Sequence, residues 1–106
     1  MAPTFTRRPE DTVAAEGSTV QLICQASGHP RPTFSWTKDM EQLGLDPRLT
    51  DDGDGILTIR NIQDSDRAVY QCYASNAVQT ISASANLFVR SKSEWNASVD
   101  VFGVFI

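Results

Sequence analysis

In DSDRAVYQC, residues 64–72, an acidic turn runs straight into a strand-like run that ends Tyr-Gln-Cys. If Cys72 faces inward, the strand period of two puts Tyr70 and Ala74 on the same side and turns Val69, Gln71, Tyr73 and Ser75 outward. A buried tyrosine needs an apolar setting for its ring and an acceptor for its hydroxyl. The turn Gln63 to Asp66, just upstream, supplies that acceptor.

Working outward, the same alternation recurs in short runs. STVQLICQAS carries Val20, Leu22, Cys24 and Ala26 at period two, PTFSWTK carries Phe34 and Trp36, and GILTIRN carries Leu57 and Ile59. SASANLFV repeats it through Ala83, Ala85, Leu87 and Val89, and GS, GHPRP, DP, DDGDG and NAVQ punctuate the intervals. No window has a convincing helical period. Short alternating strands separated by turn chemistry predict an all-β chain, an antiparallel sandwich or barrel. On this parity Cys24 and Cys72 face inward on separate strands and can meet across the core, with Trp36 inward between them.

The order Cys24, Trp36, Cys72, with Tyr70 two before the second cysteine, is the signature of immunoglobulin domains. Over about residues 3–90 the chain resembles the I-set of the immunoglobulin superfamily, through PTF, EGSTVQLIC, GHPRPTFSWTKD, the LTI of GILTIRN, and DSDRAVYQCYASN. The wording GHPRPTFSWTKD and YQCYASN is most similar to neural adhesion domains of the neuroglian and contactin group, and similar also to matrix modules such as those of peroxidasin. The resemblance implies a two-sheet antiparallel Greek-key sandwich with a Cys24–Cys72 disulfide packed against Trp36. It also implies a tyrosine corner at Tyr70, Leu57 in the core, and an Arg48–Asp66 salt bridge. The chain departs from many relatives in the DRAVY turn, where glycine is common in place of Ala68 or Arg67, which leaves the geometry of that turn open.

The domain division follows: an immunoglobulin domain over 1–90, then 91–106 as a linker plus a tail or the first strand of a following module. The tail, SKSEWNASVDVFGVFI, is apolar at its end and is a candidate for strand exchange between copies. It contains Asn96-Ala97-Ser98, an N-glycosylation sequon.

Composition sets the remaining bounds. With 106 residues, 41% hydrophobic and 21% charged, the chain reads as one globular domain. A net charge of −4 offers no field for a phosphate backbone, and no basic cluster suits an anionic membrane. The longest apolar run, residues 99–106, is broken by Asp100 and falls far below the roughly 20 residues of a membrane span. MAPTFTRRPE lacks the apolar core of a leader, so a secreted parent would make this an excised module.

No catalytic group, metal ligand set or cofactor is expected. The lone histidine, His29, stands between Gly28 and Pro30 in a loop, so neither a His-based triad nor a multi-histidine metal site can be assembled. DDGDG lacks the spaced ligands of a calcium loop and has what a tight turn demands.

Function is then expected on surfaces. Val69, Tyr73 and Phe88 are the candidate anchors on an outward sheet face that also carries Thr33, Ser35, Thr37, Gln71, Ser82, Ser84 and Asn86. The primary expectation is an extracellular or cell-surface recognition module of an adhesion or matrix protein. It would bind protein partners, homophilically or heterophilically, with dimers through the sheet face or the C-terminal segment. The alternative is an intracellular spacer in a titin-like cytoskeletal protein. A third is a targeting module on a chain whose enzyme lies elsewhere, such as a matrix peroxidase. A disulfide over about 48 residues persists only in oxidising compartments, and with a glycan at Asn96 it separates the first reading from the second.

Overall fold

The computed structural model describes residues 1–91. The domain division at residue 90, the apolar tail and the sequon at Asn96 therefore lie at or beyond the edge of the described residues. Among the described residues ten strands form in chain order: β1 Thr4–Arg7, β2 Thr12–Ala15, β3 Val20–Ile23, β4 Gln25–Ser27, β5 Thr33–Lys38, β6 Glu41–Gln42, β7 Leu49–Asp51, β8 Ile56–Ile59, β9 Ala68–Ser75 and β10 Thr80–Arg90. A 3-10 turn, Asp64–Asp66, precedes β9.

One layer has the order β2-β10-β9-β5-β6. The other is made of β3-β8-β7 and β1-β4, joined because β3 and β4 are one run of chain interrupted at Cys24. Every pairing is antiparallel except β2 on β10, which is parallel, Leu87 opposite Thr12 through Arg90 opposite Ala15. The N-terminal segment is thus shared: β1 adds to one layer and β2 crosses to the other. Pro9 lies buried in the crossing, where a residue without an amide hydrogen leaves no ladder bond unmade.

The period-two pattern becomes the core. Leu22, Leu57, Ile59, Tyr70, Leu87 and Val89, with both cysteines, are at most 2% exposed. Trp36 is buried against them. Its Nε1 has no protein acceptor among the described residues, so the ring serves the core as apolar volume. Ile62 is equally buried, and its backbone bonds Gly17 and Ser18, tying the β2–β3 turn to the approach to β9.

The acidic loop before β8 is built as a turn. Asp51 accepts from the Gly53 amide at 3.0 Å, and Asp52 accepts from Asp54 and Ile56 at 2.7 and 3.0 Å. Gly55 closes it at φ +99°, and its carbonyl accepts the Cys24 amide at 2.8 Å. A Cβ at this position would sit 2.0 Å from the Cys24 carbonyl oxygen, which is backbone and cannot swing aside. Gly55→Ala is expected to destabilise by roughly 3 kcal/mol, combining left-handed strain with forced displacement of the cysteine strand. Denaturant unfolding checks this, and a loss under about 1 kcal/mol would show that the turn can relax.

Candidate functional site

Behind the sheet face lies the apparatus that fixes β9. Arg48, just before β7, donates Nη1 to Asp66 Oδ2 at 2.8 Å and Nη2 to Oδ1 at 3.0 Å, a two-pronged pair. Its Nη1 also reaches the Arg60 and Asn61 carbonyls, and its Nη2 reaches Asp46 at 2.8 Å. The Asp66 side chain is 1% exposed. The Gln63 amide gives its carboxylate a further bond at 2.7 Å. Burial pushes the Asp66 carboxyl up, but the Arg48 hydrogen bonds, the Gln63 amide and the Arg48 and Lys38 charges together hold it below its ordinary value. The same Asp66 bonds raise Arg48 above the usual range, against its own desolvation.

The Tyr70 hydroxyl donates to the Asp66 carbonyl at 2.7 Å. One residue therefore holds Arg48 with its side chain and Tyr70 with its backbone, which joins the turn, β7 and β9. Arg67, at the end of the 3-10 turn, has φ −56° and ψ 122°. An ordinary side chain adopts these angles, so the turn works without the glycine common in relatives.

Burial, then the Asp66 and Asp39 charges, push the Tyr70 phenol well above its usual value. A neutral phenol favoured by folding adds stability that is intact below the unfolded tyrosine pKa near 10 and is lost as pH rises toward the folded value. Tyr70→Phe is expected to cost about 1 kcal/mol at pH 7 and to soften the alkaline fall in unfolding midpoint, since Phe has no proton to lose. Urea titrations at pH 7 and 11 test both.

Cys24 and Cys72 form the disulfide between the two layers, with Cα atoms 6.5 Å apart and a sequence separation of 48. Cys72 stands opposite Trp36 on β5 and Ala83 on β10, and Leu57 lies opposite Leu22 in the facing layer.

The outward side of β5, β9 and β10 is organised by register into rows. Ser35, Tyr73 and Ser82 lie abreast, then Thr37, Gln71 and Ser84, then Val69 beside Asn86. Phe88 comes last, opposite Val13 of β2. The candidate anchors therefore do not form one patch. Phe88 is six residues along β10 from Ser82, the partner of Tyr73, a separation of about 20 Å. Tyr73 sits half-buried among hydroxyls, whereas Val69, Phe88 and Val13 are 42%, 48% and 59% exposed at the other end. The strand parity of each anchor could be read from the chain, but their spacing depends on the offset of β9 against β10. Val13 is not recognisable from the sequence because β2 is too short to show a pattern, and its place beside Phe88 comes from the parallel pairing.

Asp39 and Arg67 flank a shallow cavity at the Val69–Phe88 end. Asp39 closes that end of β9 through its carboxylate and amide, both bonded to Val69. His29 is exposed in the loop after β4, beside a cis peptide to Pro30. No group of His, Cys, Asp and Glu suited to hold a metal occurs among the described residues, and no helix among them is long and apolar enough to cross a membrane.

A sandwich filled by its own side chains and stapled between layers, with its available chemistry on a flat sheet, belongs to a class that typically works by contact rather than by catalysis. The chain belongs to the immunoglobulin domain family, which matches residues 2–76. A mouse peroxidasin homolog (Mus musculus) is 38% identical over 97 residues, covering 91% of this chain and 7% of that protein. Neural cell adhesion molecule L1 of Takifugu rubripes is 38% identical over 91 residues, covering 83% and 7%. A solved chimeric titin Z1Z2, carrying an exogenous peptide from decorin, superposes with a TM-score of 0.79 at 31% identity over 87% of this chain and 97% of that one. The chain thus spans a small fraction of these curated relatives.

Proposed function

We propose that this chain is a non-catalytic protein-recognition module of an adhesion or matrix protein, working outside the cell or at its surface. The observation that carries the reading is the inter-layer disulfide, formed by both cysteines of the chain, which suits an oxidising compartment. The likeness to an adhesion molecule and to a peroxidasin homolog agrees with it. Recognition would use the β5–β9–β10 face, with Tyr73 among its hydroxyls and Val69 and Phe88 at its end. Asn96 would carry a glycan.

The likeness to titin favours a second reading, an intracellular spacer in which the same sandwich bears load. The experiment is surface staining of a panel of cells with the secreted, oxidised chain, alongside Tyr73→Ser and Phe88→Ser. The recognition reading expects saturable staining that at least one substitution weakens about thirtyfold, the loss that marks a hot spot. Uniform absence of staining on every cell type would turn the assignment toward the spacer.

A further inference from the structure

We propose that the chain has a docking site at the open edge of β3, where an extended acidic segment of a partner protein adds as a further strand. The site lies in the other layer from the β5–β9–β10 face and does not depend on it. Among the described strands β3 pairs with β8 alone, so it is the edge of its sheet. The strand on its other side would be β1, but β1 docks only as far as Arg7, opposite Gln25, before the chain turns away through the buried Pro9 to the other layer. The length from Val20 to Ile23 is thus left without a neighbouring strand on that side.

The ladder fixes where the backbone groups point. The Cys24 amide bonds the Gly55 carbonyl at 2.8 Å on the β8 side, and successive residues of a strand direct their amide and carbonyl to alternate sides. Val20 and Leu22 therefore turn toward β8 with Cys24, whereas Gln21 and Ile23 turn the other way, as Gln25 does to meet Arg7. Two amides and two carbonyls face the gap, the template on which an extended peptide adds. Arg7, Arg8 and Glu10 line one wall of this gap, and Gln21 to Ile23 the other. At about 190 Å³ it is smaller than the roughly 300–1,000 Å³ of a small-molecule pocket, which suits side chains laid along an edge rather than a buried ligand.

Charge selects the occupant. Arg7 and Arg8 are exposed and enter no ion pair among the described residues. The Arg8 guanidinium lies 5.7 Å from the centre of the Phe5 ring, a contact that steadies it beside the cleft. Two guanidiniums against the one carboxylate of Glu10 leave the cleft positive in a chain of net charge −4. An edge guarded by cations turns away the same edge of another copy and admits a strand that brings carboxylates.

The test is amide NMR on the oxidised full chain, titrated with short capped peptides, one of alternating valine and glutamate and one of alternating valine and lysine. The acidic peptide is expected to shift the Gln21 and Ile23 amides and slow their exchange with solvent, with a Kd of about 1 mM, while the basic peptide leaves them unmoved. Arg8→Glu, at an exposed position outside the strands, is expected to weaken the acidic peptide about tenfold. Arg7→Glu with Arg8→Glu is expected to reverse the preference toward lysine, a result that a misfolded chain cannot give. Gln21 and Ile23 amides indifferent to both peptides overturn the proposal, and an equal response to both overturns the acidic occupant. Amides already protected in the free chain and unmoved by peptide would assign the edge to the chain's own residues 92–106, and so overturn it as well. None of these outcomes bears on the recognition reading, which the Tyr73 and Phe88 variants test separately.

Discussion

Asp66→Ala is expected to destabilise the domain by about 3–5 kcal/mol, because it leaves the largely covered Arg48 guanidinium without its main counter-ion. The Arg48 side chain retains 20% exposure and a second partner in Asp46, so the lower half of that range is expected. The effect has a pH signature. The Asp66 carboxyl lies below its ordinary 3.8 when folded, so its contribution is complete above that unfolded value and disappears as pH falls through the lower folded one. The gap in urea midpoint between wild type and Asp66→Asn should accordingly narrow below about pH 4. A smaller acid dependence should survive in the variant, since Asp46 is also lowered, first by the Arg48 amide and then by its guanidinium. A constant gap from pH 7 to pH 2 would show that Asp66 acts through its backbone and turn geometry alone.

The second large effect concerns the disulfide. The Cys24→Ala, Cys72→Ala double variant removes a cross-link closing 48 residues, and the chain-entropy relation gives about 4 kcal/mol for a loop of that length. Alanine avoids stranding a buried hydroxyl. Since small domains have only about 5–15 kcal/mol in hand, the variant should sit near the edge of folding at 37 °C. Calorimetry and urea unfolding give the number. A loss near zero would mean that the packing of Trp36, Tyr70 and Leu57 holds the sandwich unaided, as an intracellular spacer would require.

The core was legible in the chain because burial on one side of a strand writes itself as alternation. Leu22, Cys24, Trp36, Leu57, Ile59, Tyr70, Cys72, Leu87 and Val89 could all be placed from period two. Ile62 could not. It is a lone apolar residue in a connecting segment, fixed by two backbone bonds to the β2–β3 turn, and nothing periodic surrounds it. The parallel docking of β2 was equally hidden, because four residues of TVAA carry no directional information.

At the sheet face the chain told which side chains point outward but not which are neighbours. Parity is a local property, whereas the distance from Tyr73 to Phe88 depends on the register between β9 and β10, which the hairpin Asn76–Gln79 sets. Asn76 accepts from Val78 and Gln79 and donates to the Pro30 carbonyl at 3.0 Å, so a single polar side chain decides that register and ties the hairpin to the loop after β4. The Arg48–Asp66 pair, 18 residues apart in sequence, came from family likeness. Its further bonds to Asp46, Asn61 and Gln63 appear only when the loops are assembled in space.

The account stands or falls on where this sandwich lives, and the direct measurement is mass spectrometry of the chain secreted from eukaryotic cells, with and without reduction. The recognition reading predicts no free thiol and a glycan at Asn96. Failure to secrete, or two free thiols in a folded chain, would contradict it and leave the intracellular spacer.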